Sequence, residues 1–224
     1  MTIPARARFP LSLLAVLIPI LVWTAIYCQA GRLTWLLEVG PALLGFIALA
    51  VTFRRFPMSR FIYGAVFVHT LILVYGGFYS YAEAPLGDWA KAAFHLSRNH
   101  YDRVGHLALG FFPVFIIKET LLRATPLRRG GWLTFIVLGL VLGIAAFYEL
   151  IEWWSTYVVA PDIGQAFLGS QGDPWDAQWD MLCGLVGAVL GLLLLGRAHD
   201  KSMARLSSQD DAPPATPRVS SPHR

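Results

Sequence analysis

Charge is what this chain has least of: Asp, Glu, Lys and Arg make up only 14% of its 224 residues, where soluble domains carry roughly 25%. With a mean hydropathy of +0.54, that excludes an ordinary soluble domain. Cysteine is nearly absent as well. Cys28 and Cys183 both lie in apolar stretches and offer neither a disulfide framework nor the paired spacing of a zinc site, so they read as small packing residues. No P-loop, glycine-rich dinucleotide fingerprint, nucleophile elbow or HExxH occurs, which removes the enzymes those motifs mark. Ser155 stands three residues from Glu152, too little to signal a hydrolase. Neither an internal repeat nor a soluble domain is visible.

What the chain does have is long apolar runs. Six reach or approach the roughly 20 residues a spanning helix needs: Leu11–Cys28, Leu33–Phe53, Phe61–Tyr81, Val104–Leu122, Trp132–Val158 and Trp179–Leu195. Pro57, Pro85, Pro126, Pro161 and Pro174 fall between them, where they interrupt nothing. The tryptophans cluster near run ends, as an interfacial belt does. The expected fold is all-α, a polytopic membrane bundle of about six transmembrane helices over residues 1–200, followed by a disordered cytoplasmic tail over 201–224. Arg6 and Arg8 ahead of the first run could imitate a signal peptide, but that run is long for one and is kept as a helix.

The net charge of +4 is not a nucleic-acid footprint, because the basic residues sort by loop. Arg6, Arg8, Arg54, Arg55, Arg60, Lys118, Arg123, Arg128, Arg129, Arg197, Lys201, Arg205, Arg218 and Arg224 fall on one side; Arg32, Lys91, Arg98 and Arg103 fall on the other. The positive-inside rule then makes both termini cytoplasmic. Most acids, among them Glu38, Glu83, Asp88, Asp102, Glu149, Glu152, Asp162, Asp173, Asp176 and Asp180, gather outside or near the outer boundary.

Three of these acidic stretches carry the chemistry. Asp102 and His106 are four apart and share one helix face at the mouth of the fourth run. Asp102 either caps that helix or lies behind His106 to hold its ring, and the two roles are compatible. Glu149 lies roughly 25 Å along the fifth run, inside a hydrocarbon core roughly 30 Å thick. A carboxylate there has to be paired, protonated or bound to a cation. Glu152, one turn on, reads equally as a wet interfacial acid. Asp173-Pro174 fits a helix cap, whereas Asp180 is too far into the last run to be one. Gly184, Gly187 and Gly191 permit close packing of the same helix. His106, Glu149, Asp180 and Asp102 are the candidate ligands of a divalent cation, with Zn, Mn or Mg suited to such donors. Glu152 or Asp176 is the candidate general base, and Arg103 the candidate attractor of an anionic group. His69, mid-run and roughly 15 Å deeper, reads as a packing residue.

The same residues carry a resemblance. Tyr101-Asp102-Arg103-x-Gly-His106, Glu149-Leu-x-Glu152-Trp153-Trp154 and Phe167-Leu-Gly-Ser-Gln171-Gly-Asp173-x-Trp-Asp176-x-Gln178-Trp-Asp180-Met181 resemble the bacterial inner-membrane proteins typified by YjdF. That resemblance implies multi-pass inner-membrane localisation and no established reaction. The order Asp102-x3-His106, Glu149-x2-Glu152, Asp180-x3-Gly184-x2-Gly187 is also similar to the VanZ-type membrane proteins linked to glycopeptide-antibiotic tolerance, with Arg103, Glu152 and Gly184 standing where those show Lys, Gln and Asn.

Three functions remain open on this reading. One is a metal-dependent hydrolase or transferase acting at the outer leaflet on a lipid-linked or envelope substrate. Another is a non-catalytic membrane protein whose acids knit helix ends together. The third is a proton-coupled transporter, disfavoured because the charges crowd one boundary and leave the midplane bare. Membrane lipid is the expected partner, nucleic acid is not, and the oligomeric state is not legible.

Overall fold

A computed structural model describes residues 4–159, 164 and 168–210. Pro161, Asp162, Phe167 and residues 211–224, named above, lie outside the described residues. The elements are α1 (Ala5–Tyr27), α2 (Arg32–Thr52), α3 (Arg60–Tyr79), a 3-10 turn (Tyr81–Glu83), α4 (Pro85–Phe94), α5 (Tyr101–Phe111), α6 (Pro113–Ala124), α7 (Gly131–Val158) and α8 (Asp176–Asp210). All are helical, so the expected all-α bundle is what forms. Five of them (α1, α2, α3, α7 and α8) are long and apolar enough to cross a membrane. The side chains are arranged for lipid. Phe135, Phe147, Leu193 and Leu194 point outward while Glu38, Asp102, His106, Glu149, Glu152 and Asp180 are buried.

The sixth crossing is broken. The run expected as one helix over Val104–Leu122 is two, α5 and α6, of 11 and 12 residues. Pro113 is the cause: it has no N–H to continue the α5 ladder, and proline is at home in the first turn of a new helix. Two elements differ from expectation at the bundle ends. The loop between α3 and α5 contains α4, an amphipathic helix that opens with Pro85 and leaves Leu86, Trp89 and Phe94 exposed, as an interfacial helix does. At the other end, α8 continues through Asp210, well past residue 201, where the tail was expected to begin. Its extension is held by tertiary contacts: His199 and Met203 are buried, and Ser202 Oγ accepts from the Phe61 amide at 3.1 Å. Ala5, Arg6 and Phe9 line one cavity with Leu206, so the start of α1 and the last turns of α8 lie at the same end of the bundle.

Packing is tightest between α5 and α8. Gly110, Gly187 and Gly191 face bare backbone across that interface, against Gly184, Leu107 and Phe111 respectively; an added Cβ at Gly191 would lie 2.6 Å from the Phe111 carbonyl oxygen. The glycine spacing read in the sequence therefore serves this one contact. Gly187→Leu is expected to cost about 3 kcal/mol or more, because a backbone neighbour cannot rotate away. Gly139→Leu, where an added Cβ meets nothing within 4 Å, should stay within about 0.5 kcal/mol of wild type. Thermal unfolding of the two variants in detergent checks this, and equal melting points would refute the close contact.

Two apolar cores result. Trp35, Val39, Leu73, Val74, Tyr81 and Tyr101 form one near the α4 end; Met58, Ile62, Val114, Phe115, Val137 and Ala188 form the other near the arginine-rich end.

Candidate functional site

Helices α5, α7 and α8 bring the buried acids together around one imidazole. Each does so for a local reason: His106 is one turn past Asp102 on α5, Glu149 and Glu152 share the inward face of α7 while Trp153 and Trp154 face out, and Asp180 lies on the glycine-bearing α8 held against α5. His106 Nε2 lies 3.4 Å from Glu149 Oε1, 3.7 Å from Asp102 Oδ1 and 3.8 Å from Glu152 Oε1. Asp102, His106 and Asp180 offer ligand atoms within 4.8 Å of one another, and so do His106, Glu149 and Glu152. Neither His106 nitrogen makes a hydrogen bond of normal length to these acids. Glu149 Oε1, Asp180 Oδ1 and His106 Nδ1 are buried without a hydrogen-bond partner among the described residues.

The placement of Asp102 corrects one expectation. An acid lying behind His106 would meet the nitrogen turned away from the glutamates. Here Asp102 faces Nε2, the same nitrogen as Glu149 and Glu152, so it stands beside them on one side of the ring. Its i, i+4 spacing put it on the right face and said nothing of the ring's direction.

Asp176 and Arg103 are both already engaged. Asp176 Oδ1 accepts from Arg98 Nη1, and Arg103 Nη2 donates to Asp173 Oδ2 at 2.7 Å. Arg103 also lies over the Trp179 ring at 5.5 Å. Arg98 in addition donates to the Ser170 and Gly169 carbonyls at 2.9 and 3.0 Å, tying the segment before α8 to the start of α5. The Asp173 carboxyl is held below the usual carboxylate range, first by the Trp175 amide donating to it and then by Arg103. Asp173 thus closes a local turn ahead of α8, which begins at Asp176 and not at Pro174, and it shares its carboxylate with a guanidinium. A sign in the sequence was available: Arg98 and Arg103 sit on the side that the charge rule leaves poor in bases, which calls for acidic partners.

Sequence reasoning also passed over Glu38, Tyr81 and Tyr148, which share a cavity of about 250 Å³ with Asp102, His106 and Glu152. Glu38 could have been found, since it is an acid inside the second apolar run. At the arginine-rich end a second buried acid, Glu119, provides a comparison. Its Oε1 accepts from the Ser59 amide and Arg123, both at 2.8 Å, and its Oε2 meets His199 Nε2 at 3.0 Å. Every Glu119 oxygen is satisfied. The His106 cluster is built otherwise.

Residues 9–201 match the model of a family described as a predicted membrane protein, DUF2238. The chain belongs to that family. It is also 39% identical over 186 residues to the inner membrane protein YjdF of Escherichia coli strain K12, covering 83% of this chain and 88% of that protein. No solved structure matches. Together with the helix bundle, these similarities make the chain a multi-pass protein of the bacterial inner membrane.

Proposed function

We propose that the His106 cluster holds a divalent cation at the outer leaflet and uses it to hydrolyse, or to transfer a group from, a lipid-linked or envelope substrate. One observation carries this reading: three carboxylates from α5 and α7 crowd one imidazole nitrogen, Asp180 of α8 offers a ligand atom within 4.8 Å of those of Asp102 and His106, and the carboxylates of Glu149 and Asp180 keep a buried oxygen with no partner. Glu119, by contrast, has a partner on both oxygens. Donors about 2.1 Å from a shared tetrahedral ion are about 3.4 Å apart, close to the 3.4–3.8 Å separations about His106 Nε2. The outward placement rests on the charge rule, since the arginine-rich end is the opposite one.

In this reading His106, Glu149, Asp180 and Asp102 are the ligands. Bound there, a cation would supply polarisation of a carbonyl or phosphoryl oxygen. Glu152 takes the proton from an attacking water or acceptor hydroxyl and returns it to the departing oxygen. Asp176 is left out of the base role because Arg98 holds it. The cation is Zn, Mn or Mg, all of which accept such donors.

The test is metal analysis of detergent-purified protein, wild type beside Glu149→Gln. The expected result is one bound divalent ion per chain in wild type and less than about a tenth of that in the variant, with helix content unchanged. A wild type without stoichiometric metal, together with a Glu149→Gln variant that complements a deletion strain fully, would favour the non-catalytic reading.

A further inference from the structure

The cavity beneath the His106 cluster is shaped for something longer than an ion. Its polar roof is Glu38, Tyr81, Asp102, His106, Tyr148 and Glu152. Below the roof the walls turn apolar, with Ala42 and Gly45 on α2, Val66 and Leu73 on α3, Leu109 on α5 and Ile144 on α7. From Glu38 to Gly45 the cleft descends seven residues of helix, about 10 Å. At about 250 Å³ it exceeds the roughly 150 Å³ apolar cavity that takes up benzene.

The cleft also has a side entrance. α2 packs along α3 and more lightly on α1, and makes no extended contact with α5, α6 or α7. Glu38 and Gly45 therefore face Glu152 and Ile144 across a gap, and Ile144 is itself 45% exposed on the lipid side. Gly45 borders open space in this lining, since an added Cβ there meets nothing within 4 Å. Part-way down, His69 Nε2 is buried without a partner and its ring stacks on Phe112 at 5.7 Å. It is available to an oxygen carried by whatever enters.

We propose that this cleft receives one hydrocarbon chain of a membrane lipid, which enters between α2 and α7 and brings its head group to the His106 cluster. The substrate class is thus a lipid attacked at or near its head group while still seated in the bilayer. This rests on the reading of the cluster as a working site, and it adds how the substrate is selected. A water-soluble envelope substrate has no use for an apolar cleft that opens sideways into hydrocarbon, while a lipid chain loses no hydrophobic contact on leaving the bilayer for it. Wild type prefers lipids with a chain free to bend into the gap, and a bulky side chain at position 45 excludes them.

The experiment reconstitutes full-length wild type and Gly45→Phe into phosphatidylethanolamine vesicles that carry a photoactivatable diazirine in one acyl chain. Adducts are mapped by peptide mass spectrometry, and bound metal is measured on the same samples. Wild type is expected to be labelled at Thr70, Leu73 and Leu109, which face the cleft, as well as at Leu44 and Phe147, which face bulk lipid. Gly45→Phe should lose at least about five-fold of the cleft labelling and keep the rest. Ile144→Trp, closing the gap from α7, is the second variant should Gly45→Phe not fold. Labelling confined to Leu44 and Phe147 in wild type, or cleft labelling unchanged in both variants, would overturn the proposal. The two readings fail separately. Cleft labelling in a metal-free protein upholds the lipid cleft and sinks the cation, and bound metal without cleft labelling does the reverse.

Discussion

Replacing Arg98 with methionine is expected to destabilise the protein by about 3–5 kcal/mol, the usual cost of removing one partner from a buried ion pair. Arg98 is buried with its guanidinium committed to Asp176 and to the Ser170 and Gly169 carbonyls. Taking it away leaves the carboxylate at the first turn of α8 with only the Arg103 guanidinium, 3.8 Å away and bonded to Asp173, and frees the segment that leads into that helix. Methionine keeps most of the apolar volume, so the loss reports charge and hydrogen bonding and leaves packing aside. Arg98→Lys should recover less than half of it, because an ammonium cannot make the forked contact. Thermal unfolding in detergent is the measurement, with Arg98→Met/Asp176→Asn as the control that removes the orphaned charge and regains part of the loss. An Arg98→Met variant within about 1 kcal/mol of wild type would show that Asp176 finds another partner.

Asp180→Asn should move stability and function in opposite directions. In metal-free protein it removes one ionisable group from a set of crowded buried acids, which stabilises by about 0.5–2 kcal/mol, as relief at strained functional sites commonly does. In the loaded protein it removes a ligand. Loss of mere supporting contacts to a metal site costs 10–100-fold, so complementation by this variant should fall by more than about 100-fold. The stability half is read by unfolding with and without a chelator. The chelator should lower the wild-type melting temperature and leave the Asp180→Asn temperature unchanged. If Asp180 only joined helix ends, the amide would keep that contact, and both proteins would function and ignore the chelator.

The class of the protein was legible because the bilayer imposes it. Apolar runs of spanning length, tryptophans at their ends and arginines sorted by loop are one-dimensional properties, and they survive in the structure as α1, α2, α3, α7 and α8. The residues of the site were legible for a related reason. An acid such as Glu149 inside an apolar run is costly wherever its helix ends up, so the sequence alone singles it out. Spacing along one helix likewise put Asp102 with His106, and Glu149 with Glu152.

What lay beyond the sequence was everything that depends on distance between helices. Only the packed structure decides that α5 and α8 touch backbone to backbone at Gly110 and Gly187, which carries Asp180 to His106. It also decides that Asp176 and Arg103 are taken by Arg98 and Asp173, and that Asp102 shares the Nε2 side of the ring. The cleft needs α2 and α7 to stand apart, a relation that no property of either helix encodes. Burial is a property a residue carries along its own chain; a partner is found only where two chains of atoms meet.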